Sequence, residues 1–231
     1  MEVMAALLTR FQGRFAAALG LKVASGPEAR QQWFLAAIFY GARISGVIAA
    51  RTFRVFAANG VTSPEAILAR GWEGLVALLD QGGYARYDYK TATKLLQVMA
   101  SLQERYRGSL ECLHEAAANP ADLKRRLMEL APGIGPATVN IFLRELRGIW
   151  VKARPPLSPL AQAGAVEAGL ASRGLSPGEA LEEIVRHWQA QPLPGYDFAD
   201  LEAALVRLGL ELRRGSRKKT EAEGKGRVWG G

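Results

Sequence analysis

Apolar and polar residues alternate with helical period over most of the chain, and no stretch keeps the period of two expected of a half-buried strand. Val3, Leu7, Leu8, Phe11 and Phe15 recur at helical spacing and predict an amphipathic helix over residues 2–19. "GPEARQQWFLAAIFYGA" predicts a second helix opening at Pro27, a residue suited to a first turn. "SGVIAARTFRVFAANG" predicts a third, closed by Asn59-Gly60. "TSPEAILAR", opened by Ser63, and "GWEGLVALLDQGG" read as two short helices, and "YDYKTATKLLQVMASLQERY" as a longer one capped by Asp88. "LECLHEAA", "NPADLKRRLMEL" and "GPATVNIFLRELRGIW" complete a central block. A Pro-rich connector, "VKARPPLSP", leads to three more helices, opened by Ser158, Ser176 and Asp197. The fold class expected is all-α. From Gly215 onward the chain is Gly, Lys, Arg and Glu without apolar period, which predicts disorder.

Composition narrows this picture in three ways. Close to half of the 231 residues are apolar, enough for a sizeable core in one domain or two lobes. The single cysteine, Cys112, admits no internal disulfide, no multi-cysteine zinc site and no cluster held by four cysteines. The two histidines, His114 and His187, lie far apart on predicted helices, so no metal or other cofactor is expected. No apolar run approaches a membrane span and "MEVMAALLTRF" lacks a signal-peptide pattern, so a cytoplasmic protein is expected, associated with the nucleoid only if its partner is DNA. Nothing in the pattern indicates self-association, and a monomer is expected.

The net charge of +8 is concentrated at the C-terminal end, where residues 213–231 carry seven Lys or Arg against two Glu. A basic body with a more basic tail favours a polyanionic partner.

The chemistry worth weighing centres on "LAPGIGPATVNIFL", residues 130–143. Two helices joined by Pro132-Gly133-Ile134-Gly135 form a helix-hairpin-helix. Glycines at 133 and 135 permit backbone angles closed to other residues and leave amide N–H groups uncovered. Together with the positive end of the helix from Pro136 they accept a phosphate without reading a base. Ile134 is the apolar pin of the turn, Thr138 lies in the first helical turn, and Arg144 and Arg147 lie off the apolar stripe, within reach of neighbouring phosphates.

This hairpin resembles that of the DNA glycosylase superfamily that includes endonuclease III, the adenine glycosylases and the 8-oxoguanine glycosylases. Two upstream segments are similar in the same order: "IFYGARISGVIAARTFRVFAANGVTSPEAILARGWEGL", residues 38–75, and "GGYARYDYKTATKLLQVM", residues 82–99. The resemblance implies a helical barrel over residues 34–150 and a second lobe from 1–33 with 151–212, followed by the basic tail. It also implies double-stranded DNA as the partner. By position, Arg43 would fill the hole left by a flipped nucleotide, and the loop with Tyr84, Arg86, Tyr87 and Tyr89 would supply a second wedge. Lys90, which follows that loop, would contact phosphate.

The reactive groups that the family uses are missing. Its lysine position is Ala137, which has no nucleophile, so Schiff-base chemistry through that site is excluded. Its aspartate falls on Pro155 by residue count or on Ser158 by helix start, and residues 146–166 contain no Asp or Glu. Lys90, Asp88, Lys152 and Glu167 are the ionisable residues left as catalytic candidates. Three readings follow: a protein that binds damaged or distorted duplex DNA in base-excision repair, a monofunctional glycosylase with relocated catalytic groups, or a protein-interaction member of the fold.

Overall fold

The computed structural model describes the backbone of residues 2–84 and 88–226 and the side chains of these up to residue 216. The described residues are all-helical, with no strand among them. The chain divides into two compact units, one of residues 15–155 and one of residues 1–14 with 156–231. The boundaries expected from the resemblance are 33/34 and 150/151.

The inserted unit, residues 15–155, holds α2 (Pro27–Tyr40), α3 (Gly46–Ala58), α4 (Pro64–Gly82), α5 (Asp88–Tyr106), α6 (Leu110–Ala116), α7 (Pro120–Met128) and α8 (Pro136–Arg144). Its centre is α2. The run "WFLAAIF", Trp33 to Phe39, is buried on every side, which is why it shows almost no amphipathic stripe. The helices around it dock through aromatic pairs. Phe34 meets Phe142 of α8 edge-on with ring centroids 4.9 Å apart, and Phe39 meets Phe56 of α3 at 5.2 Å. The Trp33 indole N–H donates to the Phe142 carbonyl at 3.2 Å, so the largest core side chain also satisfies its polar atom.

Most helices of both units start on a side-chain acceptor, as expected for those opened by Ser63, Ser158 and Ser176. Ser45, Ser63, Ser109, Asn119 and Ser158 each accept the amide N–H three residues on, at 3.0–3.3 Å. Ser176 and Glu179 close a reciprocal capping box. Helix α4 is two helices joined at Gly71, whose φ of 69° and ψ of 170° are not helical, in agreement with the two short helices read from sequence.

The second unit, built from both chain ends, holds α1 (Glu2–Arg10), α9 (Pro159–Glu167), α10 (Pro177–Ala190) and α11 (Phe198–Gly226). Helices α9 and α11 cross at Gly164 and Gly209. A Cβ at Gly164 would collide with the Leu205 carbonyl oxygen, and one at Gly209 with that of Leu160, so the two backbones touch directly. Helix α1 joins them through Arg10, whose Nη2 lies 2.6 Å from Glu211 Oε2. Arg207 donates to the Gly13 carbonyl at 2.5 Å, and Arg14 pairs with Asp197 and Asp200 at the start of α11.

Three expectations about elements are corrected. The helix expected over residues 2–19 stops at Arg10. Gly13 then takes a φ of 71°, and residues 17–19 form a 3-10 turn. Helix α8 ends at Arg144 rather than Trp150. The tail expected to be disordered from Gly215 continues α11 as far as Gly226. Lys, Arg and Glu propagate a helix well once a packed segment has nucleated it, so the missing apolar period does not end the helix there.

Candidate nucleic-acid interface

The α7–α8 turn forms as its residues dictate. Ile134 is buried and its amide donates to the Ala131 carbonyl at 3.2 Å, which pins the turn to the core. Gly133 sits at φ +87°, a left-handed angle that other residues adopt only with strain. Gly135 does not: at φ −101° and ψ 176° it is ordinary extended backbone, so the expectation that both glycines take special angles holds only for Gly133. What distinguishes Gly135 is space, since a Cβ there would meet nothing within 4 Å. It caps α8 without a side-chain acceptor. With Pro136 at the first position, the N–H groups of Ala137 and Thr138 are left for an acceptor from outside the helix. Pro132, Gly133, Pro136 and Ala137 are exposed.

A cation lies beside this turn. Lys94 of α5 reaches over Gly133, so that a Cβ there would be 2.9 Å from Lys94 Cε and 3.3 Å from Nζ. Burial holds the Lys94 ammonium below the usual lysine range. Lys94 shares a hollow of about 280 Å3 with Tyr89, Lys90, Thr93, Gln97 and Pro132. Thus Lys90 and the hairpin, far apart in sequence, border one surface. Arg43 is exposed in the loop after α2. That loop begins at Gly41, which packs against Thr138 of α8, so Arg43 stands two residues from a contact with the first turn of α8.

Several residues expected at the interface are elsewhere. Tyr84 is 1% exposed, packed edge-on against Phe39 at 5.9 Å, and its hydroxyl bonds with Thr91. Burial pushes its pKa up to about 12. It belongs to the core and cannot act as a wedge. Thr138 is buried beneath Gly41. Arg144 is only 7% exposed, its guanidinium 4.6 Å from the Phe15 ring centroid, a cation–π contact in place of a phosphate contact. Arg147 donates to the Pro155 carbonyl at 2.5 Å and fastens the end of the unit. Arg86 and Tyr87 lie outside the described residues.

The catalytic candidates separate in the same way. Lys152 donates from Nζ to the His114 and Glu115 carbonyls at 2.7 and 3.2 Å. It satisfies the C-terminal carbonyls of α6 at the negative end of the helix, a structural role. Glu167 is exposed at the last position of α9 in the other unit, and Ser158 caps that helix. The Asp88 carboxylate accepts the Tyr89 amide at 2.9 Å at the start of α5. Pro155 is buried. Ala137 is exposed and carries only a methyl group.

Two groups of side chains come together without a sequence motif to announce them. Glu111 joins Arg30 Nε (2.5 Å) and the Trp150 indole N–H (2.9 Å), while His114 stacks on Trp150 with centroids 4.5 Å apart. Burial and then the Lys152 charge hold His114 below the usual histidine range. The other group is Trp72, 41% exposed and stacked on Tyr89 at 5.3 Å, with Tyr89 itself 61% exposed. Its position gave no signal: Trp72 keeps helical spacing with the buried Leu75 and Leu79 of α4 and so reads as a core residue.

No protein-family model matches this chain, and no curated protein matches it. No described helix is long and apolar enough to cross a membrane, and no group of three or more potential metal ligands occurs among the described residues.

Proposed function

We propose that this protein binds damaged or distorted double-stranded DNA in base-excision repair, gripping the phosphate backbone at Pro132–Thr138 without reading sequence. The observation that carries this reading is the juxtaposition at Gly133: an exposed turn, an α8 start without a side-chain cap, and the half-buried Lys94 ammonium laid across the glycine. Amide donors, a helix N-terminus and a cation converging on one point suit a phosphate oxygen, and the exposed Ala137 beside them supplies no nucleophile. Recognition without covalent chemistry is the reading these features favour.

The test uses duplexes carrying uracil, hypoxanthine, 8-oxoguanine, thymine glycol or an abasic site, titrated by fluorescence anisotropy between about 50 and 200 mM salt. Half of each sample is then treated with alkali. Tight, salt-sensitive binding to one modified duplex without strand cleavage supports the proposal. Cleavage that appears only after alkali, on a duplex other than the abasic one and above a protein-free control, would instead make the protein a monofunctional glycosylase. Absence of binding to every duplex at the lowest salt would overturn a DNA role.

A further inference from the structure

The Trp72–Tyr89 pair is not needed for phosphate gripping, yet its geometry is well defined. The rings stack at 5.3 Å with 25° between planes, and both are largely open to solvent. The indole N–H donates to Thr93 Oγ1 at 3.1 Å, and Thr93 in turn donates to the Tyr89 carbonyl at 3.0 Å, so the indole is held in place by the helix that carries its partner. Tyr89, Lys90, Thr93, Lys94 and Gln97 recur at helical spacing along α5 and line the hollow beside Pro132. Lys90 and Lys94 are four residues apart, a like-charge spacing that disfavours an isolated helix. Neither makes an ion pair with a described residue, and the hollow has no carboxylate in its lining.

A side chain that pries a duplex open slides singly between two base pairs. Here each ring already covers one face of the other, so the pair is a poor wedge. What it offers is a flat outer face that continues a stack, the device by which single strands are held, with cations alongside for the backbone. We infer that the Trp72–Tyr89 stack, with Lys90 and Lys94, receives an unpaired nucleotide of single-stranded DNA where that strand leaves a duplex. The inference rests on the DNA-binding reading above and adds a preference for junctions over continuous duplex.

The test compares a blunt duplex with the same duplex bearing a six-thymidine overhang, each labelled and titrated by anisotropy against wild type, Trp72→Ala, Tyr89→Ala and Tyr89→Phe. Circular dichroism and urea midpoints confirm that each variant is folded. Wild type is expected to prefer the overhang by about tenfold, the effect of roughly one stacked base. Both alanine variants should lose that preference while blunt-duplex affinity stays within about twofold, and Tyr89→Phe, which keeps the ring, should retain it. Equal affinity of wild type for the two DNAs, or a preference that survives both alanine variants, overturns the inference and leaves the duplex-binding reading standing. Failure to bind either DNA overturns the inference, and absence of binding to the modified duplexes as well overturns both.

Discussion

The two glycines of the hairpin should respond in opposite ways to substitution. At Gly133, alanine must adopt φ +87°, which costs an L-residue about 1–2 kcal/mol. Its Cβ also approaches Lys94 Cε to 2.9 Å, a contact relieved by swinging the flexible end of the lysine. Gly133→Ala is therefore expected to lower stability by roughly 1–2 kcal/mol and to displace the cation from the turn. At Gly135 the backbone is already extended and the Cβ position is open, so serine fits without strain. Its hydroxyl then caps α8 as Ser158 caps α9, for a gain of a few tenths of a kcal/mol over glycine, on the order seen at other N-caps. That hydroxyl takes the N–H of Ala137 or Thr138 that a phosphate would otherwise receive. A hydrogen bond to a charged acceptor contributes about 1.5–3 kcal/mol, so DNA affinity should fall about tenfold to a hundredfold. Urea unfolding and anisotropy on the same two variants separate the effects. If Gly135→Ser were as destabilised as Gly133→Ala, the backbone assignment would be refuted. If Gly135→Ser bound DNA as tightly as wild type, the amide groups of α8 would not be the phosphate site.

Three further outcomes are expected. Tyr84, an acid whose pKa rises on folding to about 12, keeps its full contribution below the unfolded value near 10 and loses it as pH climbs toward 12. Urea unfolding across pH 9–12 should show a loss of about 2–3 kcal/mol in wild type that is absent in Tyr84→Phe, and parallel curves would refute the assignment. Lys152→Met should cost about 1 kcal/mol through the lost carbonyl contacts on α6 and leave DNA binding unchanged, whereas loss of any base-release activity would restore Lys152 as a catalytic candidate. Gly164→Ala should force α9 and α11 apart and destabilise the second unit by about 1–3 kcal/mol, measured by thermal unfolding, while a neutral effect would mean that the helices do not touch there.

What the sequence disclosed and what it hid divide along a physical line. Features decided within a few residues were legible: the caps at Ser63, Ser158 and Ser176, the break within α4, and Ile134 as a pin. Features decided by which helix lies opposite were not. Tyr84 and Tyr89 belong to one short stretch and look equivalent, but Phe39 packs on the first in the core while the second stacks on Trp72 at the surface. Arg144 and Arg147 fall off the apolar stripe, yet Phe15 and the Pro155 carbonyl, brought in from the two ends of the unit, claim them. Lys152 looks like a linker charge until α6 is placed under it. Lys94 looks like one more surface lysine until Gly133 is brought beneath it.

The second unit draws its parts from the first and last segments of the chain, and that orders its assembly in time. The apolar face of α1 and the partner residues Arg207 and Glu211 are separated by about two hundred residues of synthesis. At ribosomal speeds α1 waits roughly 10–40 s, attached to nothing that will finally hold it, while the inserted unit emerges in full. Helix α1, made before the inserted unit, is thus secured only after it. Every molecule passes through a stage in which Met4, Leu7 and Leu8 are uncovered. Loss of residues 1–14 by proteolysis at that stage would leave Glu211 without Arg10 and Arg207 without the Gly13 carbonyl.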